Sequence, residues 1–213
     1  MKIKIQLIYC FCSIILSVGF LFCQQEIPED KHAYLPKNMT SWEHMMWGKE
    51  GLIRKHIYDP GDPVKEMKLR VKMLQTHQKL GLLTLAMLSN QSWMGWELNE
   101  KGYDEGLQRR HRILGFSTFG VYMTTAGFSL FAPPAQKKKK GLYSIKLHKT
   151  LAWIHFTGML IQPWLGIYAG SCNKYTFFED FDNCGKDLGT LHNTVGMITT
   201  VSFSLAFLTT LLP

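Results

Sequence analysis

Long apolar segments alternate with short polar stretches over the last two thirds of the chain. Four segments contain few charged residues, and they cover roughly 74–96, 113–134, 150–170 and 188–212. Each supplies the run of about 20 residues that a bilayer-spanning helix needs. The stretches FGVYMTTAGFSLFA and GMITTVSFSLAFLTTLL are apolar around the whole helix, which favours contact with lipid. The pattern predicts an all-α integral membrane protein with a four-helix antiparallel bundle, and a soluble helical bundle is the alternative.

Polar stretches divide the chain into three parts. Residues 1–24 begin with lysines and continue as an apolar run, the pattern of a signal peptide or of an extra N-terminal anchor helix. Residues 25–69 form a polar N-terminal region that ends near the turn DPGDP at 59–63. Residues 70–213 contain the four apolar segments and are predicted to form the transmembrane domain.

A short helix at the membrane interface is predicted inside the polar N-terminal region. Thr40 and Glu43 have the spacing of a capping box, in which each residue satisfies a backbone N–H of the other. The tryptophan and methionine residues that follow suit a helix lying on a bilayer surface. Gly48 and Gly51 interrupt this pattern and weaken the prediction of one continuous helix.

The chain is basic, with a formal net charge of +8. The basic residues cluster at the ends of the apolar segments, where membrane topology places them. The expected partner is therefore a lipid bilayer and not a nucleic acid, while a homodimer is left open. The lysine run at 137–140 is expected in a cytoplasmic loop or against lipid headgroups.

The orientation in the membrane has two conflicting signals. Ten basic residues lie at 65–72, directly before the first apolar segment, and at 137–149, after the second, against six on the other side. The positive-inside rule therefore places the first group in the cytoplasm. Cys172 and Cys184 would then face outward, where they could form a disulfide. A signal peptide would instead export residue 24 onward, and we favour this second orientation.

The motif His-x-x-aliphatic-small accompanies each of the four apolar segments. It occurs as HQKLG, HRILG, HKTLA and HNTVG, beginning at His77, His111, His148 and His192. In an up-down bundle alternate helices run in the same direction, so His77 and His148 share one membrane level and the other two share the opposite level. The levels are about 20–30 Å apart, since a helix rises about 1.5 Å per residue. The sequence therefore predicts two imidazole pairs.

Each imidazole pair matches the needs of a haem iron. Six-coordinate haem takes one axial nitrogen from each face of a flat macrocycle. The fourth residue after each histidine is small, namely Gly81, Gly115, Ala152 and Gly196. It lies one turn deeper on the same helical face, where it leaves space for the ring; close helix packing is the alternative reason. We predict two non-covalent b-type haems with bis-histidine ligation, and the sequence contains no C-x-x-C-H motif for covalent attachment.

Three further residues are candidates for this site. Arg112 and Lys149 each follow a proposed ligand and could pair with haem propionates, or they could anchor helix ends among headgroups. His155 lies two turns after His148 and is an alternative ligand, but only His148 carries the motif. The remaining histidines, His32, His44 and His56, are expected at the solvated surface.

This arrangement resembles the core of the eukaryotic-type cytochrome b561 family. H-x-x-[LV]-[GA] accompanies successive helices, and consecutive histidines are 34, 37 and 44 residues apart. The resemblance covers roughly 70–212 and implies two b-type haems on opposite membrane sides, each held by alternate core helices. Family members usually have six helices, whereas at most one precedes the four here, and the family's ascorbate-binding residues have no clear match. The chain therefore looks like a divergent, bacterial relative of this family, and the resemblance implies a location in the inner membrane.

Three functions are compatible with the sequence. The leading one is a multi-pass electron carrier or transmembrane oxidoreductase with two haems, whose electron donor and acceptor stay open. The second is a single-haem membrane anchor subunit of a quinone-linked complex. The third is a membrane protein whose histidines bind a metal other than haem iron.

Overall fold

All regular secondary structure in the described residues is helical, which confirms the all-α prediction for them. The computed structural model describes residues 30–102, 104–136, 143–172 and 181–210. The helices are α1 (Ser41–Trp47), α2 (Leu52–His56), α3 (Pro63–Lys101), α4 (Glu105–Leu130), α5 (Tyr143–Cys172) and α6 (Phe181–Thr209). The predictions for residues 1–24, for the lysine run at 137–140 and for a Cys172–Cys184 disulfide lie outside what the structure describes.

The predicted capping box opens α1. The side chain of Thr40 accepts from the backbone N–H of Glu43 at 3.2 Å, and the Glu43 carboxylate accepts from the backbone N–H of Thr40 at 2.7 Å. Gly48 ends the helix and Gly51 begins α2. The predicted interfacial helix is therefore split into two short helices at the glycines that interrupt its pattern.

Helix α3 begins at the DPGDP turn. Asp62 is its N-cap and accepts from the backbone N–H groups of Val64 and Lys65. Pro63 occupies the first helical position, where its fixed φ suits the helix and its missing N–H is not needed. The helix continues to Lys101 and ends at Gly102, whose φ of +80° favours glycine. Position 70, the predicted domain boundary, lies inside this helix.

Residues 30–62, which we call the cap, are fastened to the C-terminal end of α4. Trp42 Nε1 donates to the carbonyl oxygen of Leu130 at 2.8 Å, and Trp47 Nε1 donates to that of Phe131 at 3.0 Å. Arg70 of α3 donates to the carbonyl oxygen of Pro133 just beyond. The last carbonyls of a helix have no intrahelical partner, so these side chains satisfy groups that would otherwise need water.

A buried ion pair joins the cap to the first turn of α3. Arg54 Nη2 lies 2.9 Å from Glu66 Oε2, and each side chain is only 1% exposed. The Tyr34 hydroxyl donates to the same carboxylate oxygen at 2.8 Å. The pKa of Tyr34 is raised to about 12, mainly by burial and secondly by this hydrogen bond to Glu66. Burial alone would raise the pKa of Asp59, but hydrogen bonds from neighbouring cations, including Arg54, hold it below its ordinary value.

The four long helices form two antiparallel pairs. Helix α3 packs along α4 and α5 packs along α6, while α3 also contacts α6 and α4 contacts α5. The backbones of α3 and α5 do not approach each other closely in their described parts, nor do those of α4 and α6, so each of these pairs is diagonal. Side chains meet across the diagonal, as Tyr122 and Phe203 do with ring centroids 6.0 Å apart. The buried apolar cluster contains one residue from each long helix: Leu88, Tyr122, Met159 and Phe203.

Two helical segments are long and apolar enough to cross a membrane. They are Glu105–Leu130 and Asp187–Thr209, judged by length and composition. They coincide with the second and fourth predicted spans and support a membrane location. The spans predicted at 74–96 and 150–170 stay predictions.

The two helix pairs repeat each other along the sequence. Buried residues of α3 recur 71 positions later in α5, as Leu88 and Met159 show. Those of α4 recur 81 positions later in α6, as Tyr122 and Phe203 show. Equivalent positions thus occupy equivalent places in the core, and the long helices have an approximate internal twofold repeat.

Gly158 permits the close packing of α5 on α6. An ideal Cβ there would lie 2.0 Å from Thr199 Oγ1 and 3.2 Å from Thr199 Cβ. We expect Gly158→Ala to lower the free energy of unfolding by about 1–3 kcal/mol through overpacking. Thermal unfolding of the purified protein in detergent measures this change.

The control for this prediction is Gly120→Ala, since an added Cβ at Gly120 meets nothing within 4 Å. That variant should be unchanged or slightly more stable because alanine favours the helix. Adding Thr199→Ala to Gly158→Ala removes the clashing oxygen and should restore part of the loss. Equal stability of the Gly158 and Gly120 variants would contradict the proposed contact.

Candidate functional site

The first site is formed by His77 of α3 and His148 of α5. Their ring centroids lie 6.4 Å apart with an interplanar angle of 85°. His77 Nδ1 donates to the carbonyl oxygen of Thr125 at 2.9 Å, and His148 Nδ1 donates to that of Ala206 at 2.9 Å. A carbonyl can only accept, so each Nδ1 carries the proton. Both Nε2 atoms keep a lone pair and make no hydrogen bond within the described residues.

The second site is formed by His111 of α4 and His192 of α6. Their ring centroids lie 6.1 Å apart with an interplanar angle of 76°. Gln91 Nε2 donates to the carbonyl oxygen of His111 at 3.0 Å and lies 3.0 Å from His111 Nε2. Gln162 Nε2 donates to the carbonyl oxygen of His192 at 2.9 Å. The Nδ1 atoms of both histidines are buried and have no partner among the described residues.

Both sites have the dimensions of a metal held between two imidazoles. A zinc–imidazole bond is about 2.0–2.1 Å long, and two comparable bonds in line, with the ring radii added, place the centroids roughly 6 Å apart. At the second site the buried Nδ1 atoms of His111 and His192 have no partner among the described residues, which is costly, and a metal would satisfy such a nitrogen. The described residues hold no cluster of three or more histidine, cysteine or acidic side chains. The geometry therefore suits a cofactor that supplies its other metal ligands itself.

The four sequence-predicted histidines thus meet as His77 with His148 and His111 with His192. In each pair the two helices are diagonal, which is the arrangement that places a flat group between them. The two sites lie at opposite ends of the long helices. Fourteen residues of α3 separate His77 from Gln91, which corresponds to about 20 Å along the axis.

The small residues of the motif have different neighbours at the two sites. An added Cβ at Gly81 meets nothing within 4 Å, so the space beside it is open. An added Cβ at Gly115 would lie 2.9 Å from Gln91 Nε2, and one at Gly196 would lie 2.8 Å from Gln162 Nε2. Glycine therefore accommodates a glutamine amide at the second site, a role that the sequence did not suggest.

The remaining candidates are placed differently from the paired histidines. Arg112 and Lys149 are exposed and make no hydrogen bond or ion pair within the described part of the chain. Ala152 is half-buried on α5. His155 is buried and bonded to Tyr122 at 2.7 Å, so His148 and not His155 is the ring that faces His77.

Sequence reasoning missed two glutamines and two glycines at the second site. An added Cβ at Gly95 would lie 3.2 Å from His111 Cε1, and one at Gly166 would lie 3.1 Å from His192 Cε1. In both halves of the repeat the glutamine follows the first-site histidine by 14 positions and the glycine follows it by 18. This longer recurrence, His-x13-Gln-x3-Gly, was the signal that could have identified them.

The amide of Gln91 should stabilise the second site. Its replacement in Gln91→Leu removes a buried donor to the His111 carbonyl, and we expect a loss of about 0.5–1.5 kcal/mol in thermal unfolding. Asn90→Leu is the control, because Asn90 is the exposed neighbour in the same polar stretch. If both variants melt at the wild-type temperature, the amide has no structural role.

Comparison with known proteins adds no relative to this description. No protein-family model, no curated protein and no solved structure matches the chain. The resemblance to the cytochrome b561 family therefore stays a hypothesis based on the histidine motif and its spacing.

Proposed function

We propose that the protein is a transmembrane di-haem b-type cytochrome that carries electrons singly across a membrane. The observation that supports this most directly is the pairing of four imidazoles into two sites at opposite ends of the long helices, each with centroids about 6 Å apart. Two axial imidazoles are the protein ligands that a six-coordinate haem requires. Two such sites on one membrane axis give an electron an entry and an exit.

The architecture that goes with this function is a four-helix transmembrane bundle similar to the cytochrome b561 core. Two apolar segments of membrane-spanning length support it. Large aromatic side chains lie exposed near the level of the second site, as Trp93, Trp96 and Trp164 show. Tryptophan is enriched where helices leave a bilayer, so this level corresponds to a membrane interface.

Residues of the chain orient the ligands before any cofactor binds. When bound, haem iron supplies one-electron chemistry. The carbonyl oxygens of Thr125 and Ala206 fix the tautomers of His77 and His148, so both Nε2 lone pairs would be available to hold the iron, with raised basicity. At the second site, the Gln91 and Gln162 amides bind next to the imidazoles instead.

A single-haem protein is the second candidate, and a specific contact supports it. The Gln91 amide nitrogen lies 3.0 Å from His111 Nε2 and can occupy its lone pair. If that contact is kept in the purified protein, only the first site would bind haem. The protein would then be a single-haem membrane anchor subunit of a quinone-linked complex.

The deciding experiment is a reduced-minus-oxidised spectrum with haem quantitation on protein purified from haem-replete cells. We expect a b-type spectrum and about two haems per chain. A ratio near one supports the single-haem alternative. Absence of a Soret band contradicts both and favours another metal at the histidines. Vesicles that contain trapped ferricyanide and receive an external reductant then test electron transfer across the membrane.

A further inference from the structure

A buried tyrosine–histidine pair lies inside the four long helices, away from both sites. The Tyr122 hydroxyl and His155 Nδ1 are 2.7 Å apart, and the residues are 2% and 8% exposed. The His155 ring also packs against Phe203, with centroids 5.0 Å apart. The Tyr122 hydroxyl has no other partner among the described residues, so it donates and His155 Nδ1 accepts. His155 therefore keeps its own proton on Nε2.

His155 lies between the two sites and closer to the first. It is seven residues from His148, about 10 Å along α5, and eleven residues from Gly166, about 16 Å along α5. Gly166 marks the level of the second site, because an added Cβ there would lie 3.1 Å from His192 Cε1. A polar ring with a fixed proton is thus located where a charge change at the first site acts on it.

The pair breaks the internal repeat of the helices. The position equivalent to Tyr122 is Phe203, 81 residues later, and the position equivalent to His155 is Thr84, 71 residues earlier. Thr84 bonds to the carbonyl oxygen of Leu80 in its own helix, and Phe203 packs in the apolar cluster. Phenylalanine and threonine thus fill the equivalent core positions in the other half of the repeat, so packing does not require the buried Tyr122–His155 bond.

We infer that Tyr122 and His155 set the redox potential of the first site apart from that of the second, an inference that rests on the proposed function. Hydrogen bonding and burial near a haem are among the means by which a protein adjusts its potential. A fixed dipole acts more strongly in a low-dielectric interior than in water. The equivalent positions hold Phe203 and Thr84, so no matching pair lies near the second site. The effect therefore falls mainly on the nearer first site and biases the direction of electron flow. Both residues are positioning residues, since neither bonds to the imidazole ligands.

Potentiometric titration followed by haem absorbance tests the inference. The first-site component is identified as the one lost in His77→Ala. Tyr122→Phe keeps the ring and its packing. In this variant the midpoint potential of the first-site component should shift, so that its reduced-to-oxidised ratio at a given potential changes at least threefold. This is roughly 30 mV, given about 59 mV per tenfold change for one electron. The second component should shift by less than this.

The matched control is Thr118→Val, which removes a buried hydroxyl one turn away on α4. Among the described residues that hydroxyl bonds only to the carbonyl oxygen of Leu114 in its own helix. Thr118→Val should shift the midpoint potential of neither haem component by roughly 30 mV. His155→Phe is the second variant and should repeat the selective shift. Two haems whose potentials are unmoved, or moved equally, in both variants overturn the inference alone. Protein without haem overturns the proposed function and the inference together.

Discussion

Substituting His77 with alanine should reduce the haem content of the purified protein by about half. The remaining haem should keep a b-type spectrum, because the second site shares no residue with the first. In the proposed function His77 would supply one of the two imidazoles that hold the first haem, and its ring faces His148. Loss of one strong axial ligand leaves a site with a single imidazole, which holds haem far less tightly. Haem quantitation against protein concentration measures the result.

Two companion variants and one control complete this experiment. His111→Ala should remove the other half of the haem, and the double variant should contain almost none. His56→Ala is the control, because His56 is exposed at the end of α2 and lies outside both sites. Full haem content in His77→Ala, or loss of both haems in either single variant of unchanged stability, would contradict two independent sites.

The local signals of the sequence were accurate because they depend on neighbouring residues. The capping box of Thr40 and Glu43, and the helix start at the DPGDP turn, each involve side chains that satisfy backbone groups within a few positions. The pairing of His77 with His148 followed from a different rule. Alternate helices of an antiparallel set run in the same direction, so a repeated motif brings its copies to the same level.

The features that were missed depend on contacts between distant elements. Gln91 is a polar residue inside the first apolar segment, and only its contact with α4 shows why a polar group is there. The Tyr122–His155 bond joins residues 33 positions apart on different helices. His155 could therefore be placed two turns from His148 by sequence, but its partner could not. The internal recurrence at 71 positions relates Gln91 to Gln162, but it does not predict the Tyr122–His155 bond, which breaks the repeat.

The cap gives the first site a different environment from the second. Its tryptophans are anchored at Leu130 and Phe131, one to two turns beyond Thr125, whose carbonyl oxygen bonds to His77. The cap therefore lies over the end of the bundle that contains the first site. Water and charged solutes reach that end through the cap or around it, so the stability of the cap affects how well this site is shielded.

Breaking the buried ion pair of the cap should cause the largest loss of stability. Arg54→Met leaves the Glu66 carboxylate buried without its cation, and removal of one partner of a buried pair costs about 3–5 kcal/mol. We expect a lower unfolding temperature and faster proteolysis within residues 30–62. Replacing both partners, in Arg54→Met with Glu66→Leu, removes the uncompensated charge as well and should recover much of the loss.

An exposed ion pair of the same cap provides the control. Lys55 and Glu50 lie 3.0 Å apart with 55% and 82% of their side chains exposed, so Lys55→Ala should change stability by less than about 1 kcal/mol. If Arg54→Met were no more damaging than Lys55→Ala, the Arg54–Glu66 pair would not be what holds the cap to α3. If the cap loosens as expected, reduced haem in Arg54→Met should also be shed from the first site before the second, because only the first lies beneath it.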